Sequence, residues 1–164
     1  MNTFMPLTLY VLLIFIRLLI FLLPFQQFFE IEFRIGQLIH FFGTVSQGLE
    51  IQDAIQQALK PGAICEDLFF MAASMADAAG FGKTFMGMPG EQAKFVGHGV
   101  GLELDELPVL AQGFKLPLQA GQTIAIEPKF VIPGKGGIGI ENTFAVTASG
   151  GEKITDMPDQ IIYL

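Results

Sequence analysis

One imidazole and two carboxylates, each in an unusual glycine- or proline-marked setting, are the residues of this chain best equipped for chemistry. They are His98 in Phe95-Val96-Gly97-His98-Gly99-Val100-Gly101-Leu102, Glu127 in Ala125-Ile126-Glu127-Pro128, and Glu141 in Gly139-Ile140-Glu141-Asn142-Thr143. A neutral imidazole nitrogen and two carboxylates form a reasonable ligand set for a divalent metal such as Mn, Fe, Co or Zn. Taken singly, a lone His in a glycine-rich strand is ordinarily structural, and Glu-Pro at a strand end is ordinarily a turn. The case for a metal site rests on the three together.

Such ligands have to be held rigidly, and the surrounding pattern provides the elements for it. From Thr44 the pattern is helical. Ile51, Ile55, Ala58 and Leu59 recur at three- to four-residue spacing, with Glu50, Gln52, Asp53, Gln56 and Gln57 on the other side. Lys60-Pro61-Gly62 ends that helix. A second amphipathic helix follows with Leu68, Met71, Ala72, Met75 and Ala79 on one face, and Glu66 and Asp67 suit the dipole of its first turn. The two methionines read as core filler rather than ligands. Gly80 is placed to end the helix, and Phe81–Lys94 reads as a glycine-rich loop. From Phe95 the pattern turns to strands: Phe95–Leu102, short apolar runs in Thr123–Val131, Ile138–Thr147 after the turn Pro133–Gly137, and a last short strand near Lys153–Thr155 after Ser149-Gly150-Gly151. Val109–Leu116 reads as an irregular connection. Two helices followed by antiparallel strands make an α+β fold.

The composition shifts near Gly43. Residues 1–43 hold 9 of the 17 Phe and only four charges, Arg17, Glu30, Glu32 and Arg34, while the rest carries 7 Lys and 14 acidic residues, the whole net charge of −7. The sequence therefore divides into a hydrophobic leader, 1–43, and a domain, 44–164. That acidic balance offers no basic stripe for phosphates, which argues against nucleic acid. The single cysteine, Cys65, excludes an internal disulfide, and its place at a helix start suits a buried or half-buried thiol. There is no P-loop, and Gly97–Gly101 is no dinucleotide fingerprint, since the third glycine and a following helix are missing. Leu7–Leu23 is 17 residues long with one central charge, Arg17. That length is the lower limit for a bilayer span, and a central Arg costs about 2.5–3.5 kcal/mol on insertion. A transmembrane or membrane-surface anchor and a non-native leader from a shifted reading frame are level readings; a buried core helix ranks behind them.

From about Leu49 to Thr155 the chain resembles the C-terminal half of the pita-bread metallopeptidases, the family of methionine aminopeptidase, Xaa-Pro aminopeptidase, prolidase and creatinase, and it is most similar to the Xaa-Pro branch. The resemblance is carried by Gly97-His98-Gly99-Val100-Gly101 with Asp105-Glu106-Leu107-Pro108, by Ile126-Glu127-Pro128 and by Gly139-Ile140-Glu141-Asn142-Thr143, at spacings of 29 and 14 residues between the three site residues. It implies that His98 and Glu127 are terminal ligands of one metal and that Glu141 bridges two, in a site where paired ions hold a hydroxide and polarise a scissile carbonyl. It implies a peptide substrate, allows a homodimer, and puts the peptidase domain in the cytoplasm, membrane-associated if residues 7–23 insert.

The chain departs from that family at three places. The family's two further ligands are Asp residues on strands before the first matched helix, and no Asp precedes Asp53 here. The family's catalytic His, seven residues after the ligand His, is Asp105, and the Arg that many Xaa-Pro enzymes place two residues before the final Glu is Gly139. The expectation is thus a truncated Xaa-Pro aminopeptidase-like metallopeptidase with an incomplete metal site (Mn, Co, Zn or Fe), no assigned catalytic residue and impaired hydrolysis. The alternative is a membrane-anchored, non-catalytic pseudopeptidase that binds a peptide or partner.

Overall fold

A computed structural model of the chain describes residues 25–159. The proposed leader helix Leu7–Leu23 lies outside the described residues; among those, no helix is long and apolar enough to cross a membrane. The chain divides into two units, residues 1–42 and 43–164.

Helix α1 runs from Phe25 to Ala58, and α2 from Cys65 to Ala78. The start of α1 precedes Thr44, because Phe25–Gly43 is too uniformly apolar for a 3.6-residue period to stand out. Its C-terminal half follows the expected stripe, with Ile51 and Ile55 fully buried, as is Leu59 just past its end. Gln52, expected on the outer face, is also buried, where its Oε1 accepts a hydrogen bond from Asn142 Nδ2 at 3.0 Å. Lys60-Pro61-Gly62 breaks the helix, with Gly62 in the left-handed region at φ +88. α2 buries Cys65, Leu68, Phe69, Ala72 and Ala76. No side chain caps its N-terminus. Instead the N–H groups of Cys65 and Glu66 donate to the carbonyls of Leu116 and Phe114 at 3.1 and 2.8 Å, so the segment leaving the sheet satisfies the helix start.

Among the described residues seven strands follow: β1 (Phe95–Gly99), β2 (Glu106–Ala111), β3 (Thr123–Ile126), β4 (Lys129–Ile132), β5 (Gly136–Gly139), β6 (Asn142–Thr147) and β7 (Gly150–Lys153). The main sheet has the order β2-β1-β3-β6-β7, and β4-β5 form a separate hairpin. All pairings are antiparallel. β2 corrects the start of the irregular connection expected over Val109–Leu116. Pro108 hid it, and β2 is an outer strand of the sheet, where proline is tolerated. The stretches Thr123–Val131 and Ile138–Thr147 each hold two strands belonging to different sheets. The chain leaves the main sheet at Glu127-Pro128 and re-enters it at Ile140-Glu141. Ile124, Ile126, Phe144 and Val146 join Val96, Leu110 and the buried faces of both helices in one core. Phe130 of β4 belongs to it, packed against Phe81 and Phe85 with ring centroids 5.5 Å away in each case.

Candidate metal centre

His98 lies near the end of β1, directly between two strands, opposite Val109 of β2 and Ala125 of β3. The glycines on either side follow from that crowding. A Cβ at Gly97 would overlap the carbonyl of Ala125, and one at Gly99 would lie 2.6 Å from the carbonyl of Leu107. The sequence Gly-His-Gly is thus what lets β1 run squeezed between two neighbours and still present an imidazole. The ring is buried, at 6 % exposure. Its Nδ1 lies 3.0 Å from the carbonyl of Gly99, which can only accept, so Nδ1 carries the proton of that contact. That leaves Nε2 facing two carboxylates: Asp105 Oδ1 at 2.9 Å and Glu127 Oε1 at 3.9 Å. A lone pair set against carboxylate oxygens repels them; only a proton or a cation at Nε2 makes the arrangement attractive.

Glu127 sits at the step from β3 to β4, its N–H bonded to the carbonyl of Val96 at 3.0 Å and its side chain only 14 % exposed. Glu141 sits at the matching step from β5 to β6 and is exposed. Both steps open onto one groove of about 650 Å³, lined among others by His98, Asp105, Glu127, Lys129 and Glu141. The three residues singled out in the sequence are therefore brought to one place.

Two partners were not foreseen. Asp105, quoted as part of a matching motif and as a departure from the family's catalytic His but not as a partner of His98, lies 2.9 Å from its Nε2. Lys129, the first residue of β4, donates from Nζ to Glu127 Oε2 at 2.6 Å. Positions 127 and 129 share parity, the one signal by which their meeting on a single face was readable. With Nζ on one oxygen of Glu127 and Asp105 on Nε2, the donors do not fit a metal ion as they stand. Among the described residues no three His, Cys, Asp or Glu side chains form a group that could hold one.

Elsewhere two groups titrate abnormally. Burial pushes the Cys65 thiol up, opposed more weakly by a hydrogen bond from its own backbone. Burial alone would raise the Asp159 carboxyl too, but hydrogen bonds from Lys153 and Asn142 and the Lys153 charge outweigh it and hold Asp159 below the usual carboxylate range.

The sequence model of metallopeptidase family M24 matches residues 45–148. The Xaa-Pro dipeptidase of Pyrococcus furiosus is 33% identical over 114 residues, covering 70% of this chain and 31% of that protein. Among solved structures, the X-Pro aminopeptidase of Thermotoga maritima aligns at a TM-score of 0.64 with 28% identity, over 71% of this chain and 31% of that one. The prolidase of Pyrococcus horikoshii aligns at a TM-score of 0.64 with 32% identity, over 73% of this chain and 32% of that one. The chain thus spans about a third of the length of the curated relatives it matches.

Proposed function

Since this chain belongs to metallopeptidase family M24, we propose that its folded unit forms one wall of an Xaa-Pro-type peptidase centre, with His98, Glu127 and Glu141 at the ligand positions, and that the chain alone hydrolyses such peptides poorly or not at all. The α+β arrangement of two helices and antiparallel strands is the one it shares with the Xaa-Pro peptidases of known structure. The observation that carries the reading is the convergence of those three residues on one groove, at the two steps between sheets. The family implies a divalent metal in its full centre. The weak hydrolysis follows from the donor set, because Glu127 is held by Lys129 and no donor cluster capable of fixing an ion is present among the described residues. Losing the ordering of a metal-bound nucleophile costs several orders of magnitude in rate.

The test is hydrolysis of an Xaa-Pro dipeptide by the purified chain with Mn or Co added. The expected turnover is indistinguishable from that of Glu127→Gln. A normal, metal-dependent turnover that Glu127→Gln abolishes would overturn the impaired part of the reading. A normal, metal-dependent turnover that survives substitution of all three residues would remove them from the site.

A further inference from the structure

The groove already contains a cation, and it belongs to the chain. Lys129 Nζ lies 2.6 Å from Glu127 Oε2, in a pair whose carboxylate side chain is 14 % exposed and whose lysine is 42 % exposed. The other oxygen of Glu127 faces His98 Nε2 at 3.9 Å, and Nε2 in turn lies 2.9 Å from Asp105 Oδ1. Basic and acidic groups therefore alternate along one wall: Lys129, Glu127, His98, Asp105. We propose that the Lys129 ammonium is a tethered counter-cation that occupies the coordinating face of Glu127, so that this chain excludes divalent metal ions from the groove instead of recruiting them.

Three features of the fold hold the lysine there. Its Cα is fixed, because Met86 N–H donates to the Lys129 carbonyl at 2.8 Å and the next residue, Phe130, is fully buried in the core. The β4–β5 register sets Gly139 opposite Lys129, and a Cβ at Gly139 would stand 2.8 Å from Lys129 Cβ. Glycine at that position leaves the lysine stem its space. Finally, Glu127 is only two residues away, and a short tether gives the ammonium an effective concentration in the millimolar range. A free ion has to displace a charge-assisted hydrogen bond at that local concentration before it gains Oε2 of Glu127.

The inference takes from the proposed function only that the groove is the site, and it is read by metal binding, whereas that reading is tested by peptide hydrolysis; either can fail alone. Mn and Zn are titrated calorimetrically into the full chain as wild type, Lys129→Gln, Lys129→Arg and the double variant Lys129→Gln/Glu127→Gln. Lys129→Gln is expected to bind at least tenfold more tightly than wild type. Lys129→Arg, which keeps the charge, should behave as wild type, and Glu127→Gln should cancel the gain. Equal binding by wild type and Lys129→Gln, strong or absent, overturns the proposal. A second measurement needs no variant and decides the matter if Lys129→Gln does not fold. Acylation of Lys129 in the wild-type chain, read by peptide mass spectrometry, should lag behind that of the exposed Lys115 and stay unchanged in millimolar Mn. Equal rates, or acceleration by Mn, overturn it.

Discussion

His98 and the two glutamates were readable because their neighbours are so constrained: glycines where two strands press on β1, a proline and an Ile-Glu-Asn step where the chain changes sheet. Lys129 and Asp105 carry no such mark. A lysine at a strand start is ordinary surface, and only the hairpin register aims it at Glu127. Cys65 offers a clean check at this scale. Its thiol is fully buried and pushed up by that burial, which keeps it from the reactive thiolate form. In the native chain it should resist iodoacetamide for as long as the helices hold, then label rapidly once denaturant is added. Mass spectrometry of both samples decides, and prompt labelling of the folded chain would show that α2 is not packed as described.

At the scale of elements, α2, the C-terminal part of α1 and most of the strands could be read from periodicity and turns, whereas the uniformly apolar start of α1 and the proline-bearing β2 could not. The partition of the strands into two sheets could not, since both sheets use the same alternating residues and only long-range pairing separates them. The squeeze on β1 gives the first prediction here. Gly97→Ala forces a methyl into the Ala125 carbonyl and should cost about 1–3 kcal/mol, the usual penalty for overpacking. Urea melts of the two proteins measure it, and an unchanged midpoint would refute the close approach. The second concerns the exit from β7. Lys153 Nζ binds both oxygens of Asp159 at 2.8 and 2.7 Å, and Asn142 Nδ2 binds Oδ1 at 2.9 Å. A carboxyl whose folded pKa is lowered contributes stability that is complete above the unfolded value, about 3.9, and is lost as pH falls through the lower folded value. Acid should therefore weaken this tie only below about pH 4, and Asp159→Asn should flatten that part of the stability profile. A profile identical to wild type across the acid range would count against the tie.

For the molecule as a whole, the composition break near Gly43 and the division at residues 42 and 43 meet on a practical question. Among the described residues, every member of the buried hydrophobic core lies between Ile51 and Val146. Residues 43–164 should therefore melt cooperatively by themselves, followed by circular dichroism, and a transition without a sigmoid would place part of the core elsewhere. Within that unit the stitching is long. Gln52 receives Asn142 across 90 residues of chain, and Gln56 Nε2 reaches the carbonyl of Gly151 across 95. On a ribosome the first helix is therefore made long before anything exists to cover its inner side. At roughly 5–20 residues per second the wait is on the order of 5–20 s, during which Ile51, Ile55 and Leu59 have only solvent, nascent chain or a chaperone for company. The last of the described strands, β7, carries the carbonyl that Gln56 of this first helix finally meets.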